Sequence, residues 1–166
     1  MPLHFLTKDL VFPPVAEAEE DGLLAVGGDL SPERLLLAYK SGIFPWYDEA
    51  PILWWSPDPR FVLFPEELKI SKSMRPVLKQ GKFRFSTDTA FQEVMVNCQQ
   101  TPRQHQSGTW INNEMIQAYT TLHQMGFAHS AETWENNKLV GGLYGVRIGN
   151  VFFGESMFSH QSNASK

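Results

Sequence analysis

Residues 138–159 constrain the fold of this chain more than any other stretch. They read Lys138-Leu-Val-Gly-Gly-Leu-Tyr-Gly-Val-Arg-Ile148, then Gly149-Asn150, then Val151-Phe-Phe-Gly-Glu-Ser-Met-Phe-Ser159. Two β-branched and aromatic runs meeting at a Gly-Asn pair predict a β-hairpin. Gly141, Gly142, Gly145 and Gly154 interrupt the runs, and a glycine inside a strand leaves room for another group to approach the backbone. Glu155 is the one acid of the second run. Strand alternation puts it on a face with Phe153 and Met157, an apolar setting where a carboxylate needs a cation or hydrogen bonds. A salt bridge to Arg147 across the hairpin and a substrate cation are equal readings of it.

The rest of the chain supplies a core to go with this hairpin. Of 166 residues, 42% are hydrophobic and 13% aromatic, while 19% are charged and the net charge is −4. Such a chain buries a sizeable core and is neither disordered nor a uniformly basic nucleic-acid binder, although a local basic patch stays open. Cys98 is the only cysteine, so an internal disulfide and a cysteine-rich metal site are excluded, and a lone thiol suits a reducing compartment. Neither a signal peptide nor an apolar run of about 18 residues is visible. The expectation is a soluble cytoplasmic protein that uses no membrane and no metal.

In chain order, residues 1 to about 30 form an irregular lead-in with a short strand. Ser31-Pro32-Glu33 then starts a helix, with Ser at the cap, Pro at the first position and Gly42 as the stop. Three of the five tryptophans, Trp46, Trp54 and Trp55, lie in a proline-rich segment, where inter-domain core and a stacking surface for a nucleobase compete. Ser73 is expected to cap the next helix. Lys72, Arg75 and Lys79 recur at helical spacing, part of six cations within 16 residues that also include Lys69, Lys82 and Arg84. A solvated face is the ordinary reading of that run, and a phosphate footprint is the functional one.

Beyond it, Phe83 to Phe85 reads as a strand, and Asp88 or Thr89 as the cap of a helix carrying Phe91, Val94, Met95 and Cys98 on one face. That stripe makes Cys98 an inert core thiol. Asn112 or Asn113 caps a second helix, with Met115, Tyr119 and Leu122 inward and Gly126 at its end. A strand from Phe127 to Trp134 and a turn at Glu135-Asn-Asn137 lead into the hairpin, and Ser162-Asn163 reads as the cap of a further helix. The order strand, helix, helix, strand, strand, strand is that of a GNAT-type acyltransferase domain, an α/β (α+β) fold with a mixed, largely antiparallel sheet. Residues 1–62 are expected to form a small N-terminal domain and 63–166 the GNAT-like domain, incomplete at its C-terminal end.

Several chemistries are disfavoured. Gly154-Glu-Ser-Met-Phe158 has Phe158 where a nucleophile elbow needs its second glycine. The histidines, His4, His105, His123, His129 and His160, show no ligand spacing. In place of a Gln/Arg-x-x-Gly-x-Gly/Ala loop for coenzyme A stands Gln161-Ser-Asn-Ala-Ser-Lys166, in which Ala164 and Lys166 keep a pyrophosphate from the backbone. No cofactor is expected.

Gly27-Gly-Asp-Leu-Ser31, Gly42-Ile-Phe-Pro-Trp46, Leu53-Trp-Trp-Ser-Pro-Asp-Pro-Arg60, Gly108-Thr-Trp-Ile111, Gly141-Gly-Leu-Tyr-Gly-Val146 and Gly154-Glu-Ser-Met-Phe-Ser159 closely resemble the leucyl/phenylalanyl-tRNA–protein transferase family. The resemblance runs over essentially the whole chain, continuing through Asn163-Ala-Ser-Lys166. It implies transfer of Leu or Phe from aminoacyl-tRNA to proteins beginning with Arg or Lys, which marks them for N-end rule degradation. It also implies that Trp46 and Trp110 sandwich the terminal adenine of the tRNA, and that Leu143 and Met157 line the pocket for the transferred side chain. Glu155 becomes the site acid, and Lys72 and Lys79, with Arg75 between them, face the tRNA backbone. Pro76 and Gln80 stand where other members have cations. Members of the family continue to an Asp-Cys-Gln strand whose Asp and Gln carry the proposed catalysis, and this chain has no counterpart of it. Two rivals remain: a coenzyme A-dependent GNAT acetyltransferase, suggested by the strand order, and a fragment that binds tRNA without catalysis.

Overall fold

The glycine and Pro-Glu signals around residue 31 do what their chemistry dictates. In the computed structural model, which describes residues 3–102 and 110–165, helix α1 runs Pro32–Lys40. The Ser31 hydroxyl accepts the Arg34 N–H at 3.4 Å, Pro32 sits at the first position, and Gly42 follows at φ 75°. By backbone contacts the chain divides into two units, Met1–Arg60 with Pro102–Leu122 and Phe61–Thr101 with His123–Lys166.

The first unit holds strands β1 (His4–Leu6), β2 (Leu23–Gly27), β3 (Phe44–Pro45) and β4 (Leu53–Trp55), in the sheet order β1-β2-β4-β3. The lead-in is therefore more regular than its Pro and acid content suggests. It contributes an edge strand, parallel to β2, as well as β2 itself. The core gathers Leu24, Leu35, Tyr39, Ile43 and Trp54, the last fully buried with its indole N–H donated to the Gly27 carbonyl at 2.8 Å. Arg34 is also buried, and its guanidinium reaches the Asp29 carboxylate at 3.3 Å and the Thr7 carbonyl at 2.9 Å. Helix α4 (Asn113–Gln124) begins where expected, with Asn112 Oδ1 accepting the Met115 N–H at 2.9 Å. The hydroxyls of Tyr119 on α4 and Tyr39 on α1 meet at 2.6 Å.

The second unit is built on an antiparallel sheet of order β5-β6-β7-β8, made of β5 (Arg84–Thr87), β6 (Ala128–Glu135), β7 (Lys138–Ile148) and β8 (Val151–Ser159). Asn136 and Asn137, at φ 50° and 60°, turn the chain from β6 to β7, and Gly149 at φ 59° turns it from β7 to β8, positions where Asn and Gly carry the least strain. Helix α3 (Phe91–Gln100) lays Phe91, Val94, Met95 and Cys98 on one face of this sheet. It packs so closely that a Cβ on Gly142 would come within 3.0 Å of the Val94 side chain. Helix α2 is short (Met74–Lys79).

Three capping expectations are corrected. Ser73 makes no cap bond; Ser71 Oγ accepts the Met74 N–H at 3.3 Å instead. Neither Asp88 nor Thr89 caps α3. Glu132, from the middle of β6, accepts the Ala90 N–H at 3.4 Å and bonds from the hydroxyls of Ser86 at 2.6 Å, Thr89 at 2.9 Å and Ser130 at 2.6 Å. A buried carboxylate is tolerated there because several donors converge on it next to a helix N-terminus. Finally, the residues after Ser159 form turns rather than a helix among the described residues, with Asn163 at φ 72° and Ala164 buried against Phe83 and Val140. The fold is α+β with two sheets, and no helix among the described residues is long and apolar enough to cross a membrane.

Candidate functional site

The β7–β8 ladder pairs Leu143 with Met157 and Tyr144 with Ser156, then resumes at Gly145 with Gly154. Glu155 is therefore the extra residue of a β-bulge, and the bulge changes which side chains share a face. Phe153 pairs with Val146 and Met157 with Leu143. Those two β7 partners lie on opposite faces of an alternating strand. The expected common face of Phe153, Glu155 and Met157 is thus corrected: alternation holds only while pairing is uninterrupted. Arg147 pairs with Phe152 and turns its guanidinium Nε to the Gly149 carbonyl at 3.0 Å. Glu155 itself is partly buried.

Opposite the bulge, Gly145 has no room for a side chain. A Cβ there would strike the Phe153 carbonyl oxygen and approach the Phe152 ring to 2.6 Å. Gly141, two residues before Leu143, is covered in the same way by the Ala164 carbonyl. Leu143 lies between these two glycines on the same face of β7, paired with Met157 on one side and Ala131 on the other. Leu143, Met157 and Ala131 thus lie side by side on one face of the sheet, with the Phe152 ring over Gly145 and the Ala164 backbone over Gly141. Met157 is 54% exposed and Leu143 half-buried. Sequence reasoning misses Phe152, because nothing in the pair Phe152-Phe153 says which ring crosses onto the glycine.

The basic run divides. Lys82 pairs with Glu135 at 3.3 Å and Arg84 lies over the Trp134 ring at 5.1 Å, so both serve the sheet edge. Arg75 and Lys79 stand exposed one turn apart on α2, and Lys72 is exposed in the turn just before it.

The tryptophans divide as well. Trp54 is core. Trp46 is 43% exposed, with its ring edge-on to Trp55 at 5.5 Å and its carbonyl accepting the Trp55 indole N–H at 2.7 Å. Trp110 is 7% exposed. Both Trp46 and Trp110 belong to the first unit, whereas Leu143, Met157, Glu155 and the α2 cations belong to the second. Gly108, Thr109, His105 and Lys166 lie outside the described residues.

Asp88 is expected from sequence only as a cap, yet it gathers two histidines. Held at φ 57°, it accepts the Ser130 N–H at 2.9 Å, contacts His129 Nδ1 at 2.8 Å and lies 3.8 Å from His123 Nδ1. His123 in turn stacks flat on Phe91 at 4.3 Å. Burial pushes the Asp88 carboxyl up, but the bonds from His129 and the Ser130 N–H, with the charge of His129 and His123, outweigh it and hold the group below its ordinary value. Among the described residues no group of three or more His, Cys, Asp and Glu is arranged to hold a metal ion.

Comparison with known proteins adds sequence relationships to this geometry. Residues 62–166 match the family model described as leucyl/phenylalanyl-tRNA protein transferase, and residues 28–58 match the one described as its N-terminal domain. The chain is similar to the leucyl/phenylalanyl-tRNA–protein transferase of Flavobacterium johnsoniae, 62% identical over 165 residues that cover 99% of this chain and 78% of that relative. It is 59% identical to the one of Syntrophobacter fumaroxidans, over 100% of this chain and 71% of that relative. The one of Nitrosomonas europaea is 61% identical, over 99% of this chain and 70% of that relative.

Proposed function

Because the chain belongs to the leucyl/phenylalanyl-tRNA–protein transferase family, we propose that it moves Leu or Phe from aminoacyl-tRNA to the α-amino group of proteins beginning with Arg or Lys, in the cytoplasm, as a mark for N-end rule degradation. The observation that carries the reading is the identity, 62% over 99% of the chain, with a relative bearing that name. Residues 63–166 are read as a GNAT-like acyltransferase domain, supported by the order β5, α3, α4, β6, β7, β8 along the chain.

The chemistry suits such a site. The donor is an activated ester, and the nucleophile is an amine with a pKa of roughly 8, so part of it is neutral at pH 7. A new C–N bond forms, the ester C–O bond breaks, and the amine proton ends on the released 3′-oxygen of the tRNA. Catalysis then consists of holding the two reactants together and easing that proton transfer. Leu143 and Met157, with Phe152 nearby on the same face, would take the transferred apolar side chain. Glu155 would hold the cationic side chain of the acceptor. Trp46 and Trp110 would stack on the terminal adenine, and Lys72, Arg75 and Lys79 would meet the tRNA phosphates.

The test is transfer of labelled Leu from Leu-tRNA to a peptide beginning with Arg, beside a calorimetric titration with acetyl-CoA. We expect label on the peptide and no acetyl-CoA binding. Tight acetyl-CoA binding without tRNA binding would overturn the reading in favour of an acetyltransferase. Binding of Leu-tRNA with no transfer would reduce the chain to a tRNA-binding protein. Glu155→Gln should leave tRNA affinity intact and raise the KM for the acceptor peptide, since charge-assisted bonds are about twice as strong as neutral ones. An unchanged acceptor KM would return Glu155 to scaffolding.

A further inference from the structure

In the β6–β7 ladder His129 lies opposite Gly145 and Ala131 opposite Leu143. Residues directly opposite one another, or two apart on one strand, share a face, so His129 lies on the face of Leu143 and Met157 as a diagonal neighbour of Leu143, about 7–8 Å away. Helix α3 packs on the other face, where a Cβ on Gly142 would meet Val94. His129 stands at the Gly145 end of the row, where the Phe152 ring covers that glycine and Glu155 bulges from β8. The Asp88 carboxylate fixes its ring: Oδ1 accepts the Ser130 N–H at 2.9 Å and Oδ2 meets His129 Nδ1 at 2.8 Å. An ionised carboxylate only accepts, so Nδ1 carries the ring proton, and in the neutral imidazole Nε2 holds the lone pair. Among the described residues the bond to Asp88 is the only hydrogen bond this ring makes, and the side chain keeps 31% of its surface exposed. The other charged groups around the pair are His123 at the end of α4, Arg147 on β7 and Glu155. His123 Nδ1 lies 3.8 Å from Asp88 Oδ1 and 2.8 Å from the Ala128 carbonyl, and Arg147 is turned to the Gly149 carbonyl.

We propose that His129 is a catalytic residue of the transfer: its Nε2 takes the proton of the attacking α-amino group and passes it to the departing 3′-oxygen of the tRNA, and Asp88 is the residue that positions it. The proposal rests on the transferase reading and on the roles given there to Leu143, Met157 and Glu155. A side chain seated on Leu143 and Met157 carries its ester carbonyl two bonds from its Cβ, which keeps the reacting carbon beside the next pair of the ladder, His129 and Gly145. Glu155, given to the cationic side chain of the acceptor, lies at that same end, so the acceptor amine enters on the side of Nε2. The C–N bond forms, the ester C–O bond breaks, and one proton moves from nitrogen to Nε2 and on to the 3′-oxygen. The imidazole ends as it began, and no further reactant is needed.

The experiment follows labelled Leu from Leu-tRNA to a peptide beginning with Arg, using the whole chain. It takes kcat and both KM values separately, per folded molecule, with thermal unfolding recorded in parallel. The variants are His129→Gln, Asp88→Asn and the two together. In Asp88→Asn the amide oxygen stays on the Ser130 N–H, so Nδ2 faces His129 Nδ1 and donates to it. The ring proton then moves to Nε2, and the base is lost although the histidine remains. We expect each single variant to lower kcat about 10²-fold or more, the size of one general acid–base group, with both KM values near those of the parent. The double variant should be no worse than His129→Gln alone, because Asp88 acts through the ring. If both single variants turn over like the parent, the inference is wrong and the transferase reading stands. A raised KM with kcat unchanged also overturns it, by making His129 a binding residue. If the parent transfers no Leu, the reading and the inference fail together. A loss of activity that vanishes when counted per folded molecule makes the pair a structural tie and nothing more.

Discussion

Gly145 and Gly154 face one another across the β7–β8 ladder, yet they answer different demands. A Cβ on Gly145 would collide with the Phe153 carbonyl and the Phe152 ring, whereas one on Gly154 would have nothing within 4 Å. Gly145→Ala should therefore cost about 1–3 kcal/mol, the usual penalty of overpacking, and Gly154→Ala should unfold in urea near the parent midpoint. Equal midpoints for the two variants would show that the bulge adapts without strain. The sequence displays both glycines, but only the register separates the one that admits the bulge from the one that does not. Glu132 teaches the same at this scale. Its four donors come from positions 86, 89, 90 and 130, and no local pattern links an acid in mid-strand to a helix cap more than 40 residues earlier.

At the scale of elements, the turn between β5 and α3 is tied to the start of β6 by Asp88. Its carboxyl is held below the ordinary carboxylate value in the folded chain. A depressed folded pKa means stability that is fully present above the unfolded value near 4 and is lost as pH falls through the lower folded value. Comparing the parent with Asp88→Asn isolates this contribution, because Asn also tolerates the φ of 57°. The stability gap between the two, measured by urea unfolding from about pH 5 down to about pH 2.5, should close progressively below about pH 4. A gap that does not change with pH would mean that the Asp88 bonds are worth no more to the ionised group than to the neutral one. The helices themselves are legible in the sequence. Ser31 with Pro32, Asn112, and the stripe Phe91, Val94, Met95 and Cys98 act locally, over three or four residues, and all behave as their spacing requires.

Across the whole molecule the net charge is −4, so binding of a polyanion must come from a local concentration of cations rather than from the overall field. With Lys82 and Arg84 engaged at the sheet edge, that concentration narrows to Lys69 and, on or just before α2, the three exposed cations Lys72, Arg75 and Lys79. Replacing all three by Ala should weaken tRNA binding and flatten the plot of log affinity against log salt, by roughly one unit of slope for each phosphate left without its cation. The fold should be unaffected, since all three are exposed. A slope identical to the parent would place the phosphate-binding cations elsewhere. The same scale presents Phe61, Val62, Leu63 and Phe64 to solvent, all more than half exposed.

What the sequence determined by itself was whatever is written at short range or in long identical blocks. The β7–β8 hairpin follows from two β-rich runs and a Gly-Asn turn, α1 and α4 follow from their caps and α3 from its apolar stripe, and the family follows from motifs spread over the whole chain. The tertiary structure alone decided which tryptophan is core and which is exposed, that Glu155 is the extra residue of a bulge, and that Phe152 rather than Phe153 crosses onto Gly145. It also decided that the chain after Ser159 turns at Asn163, where Ala164 can bury against Phe83 and Val140. The reason is physical: propensity, capping and periodicity act between neighbours in sequence. Register, burial and the convergence of donors on a carboxylate are instead set by groups that only folding brings together.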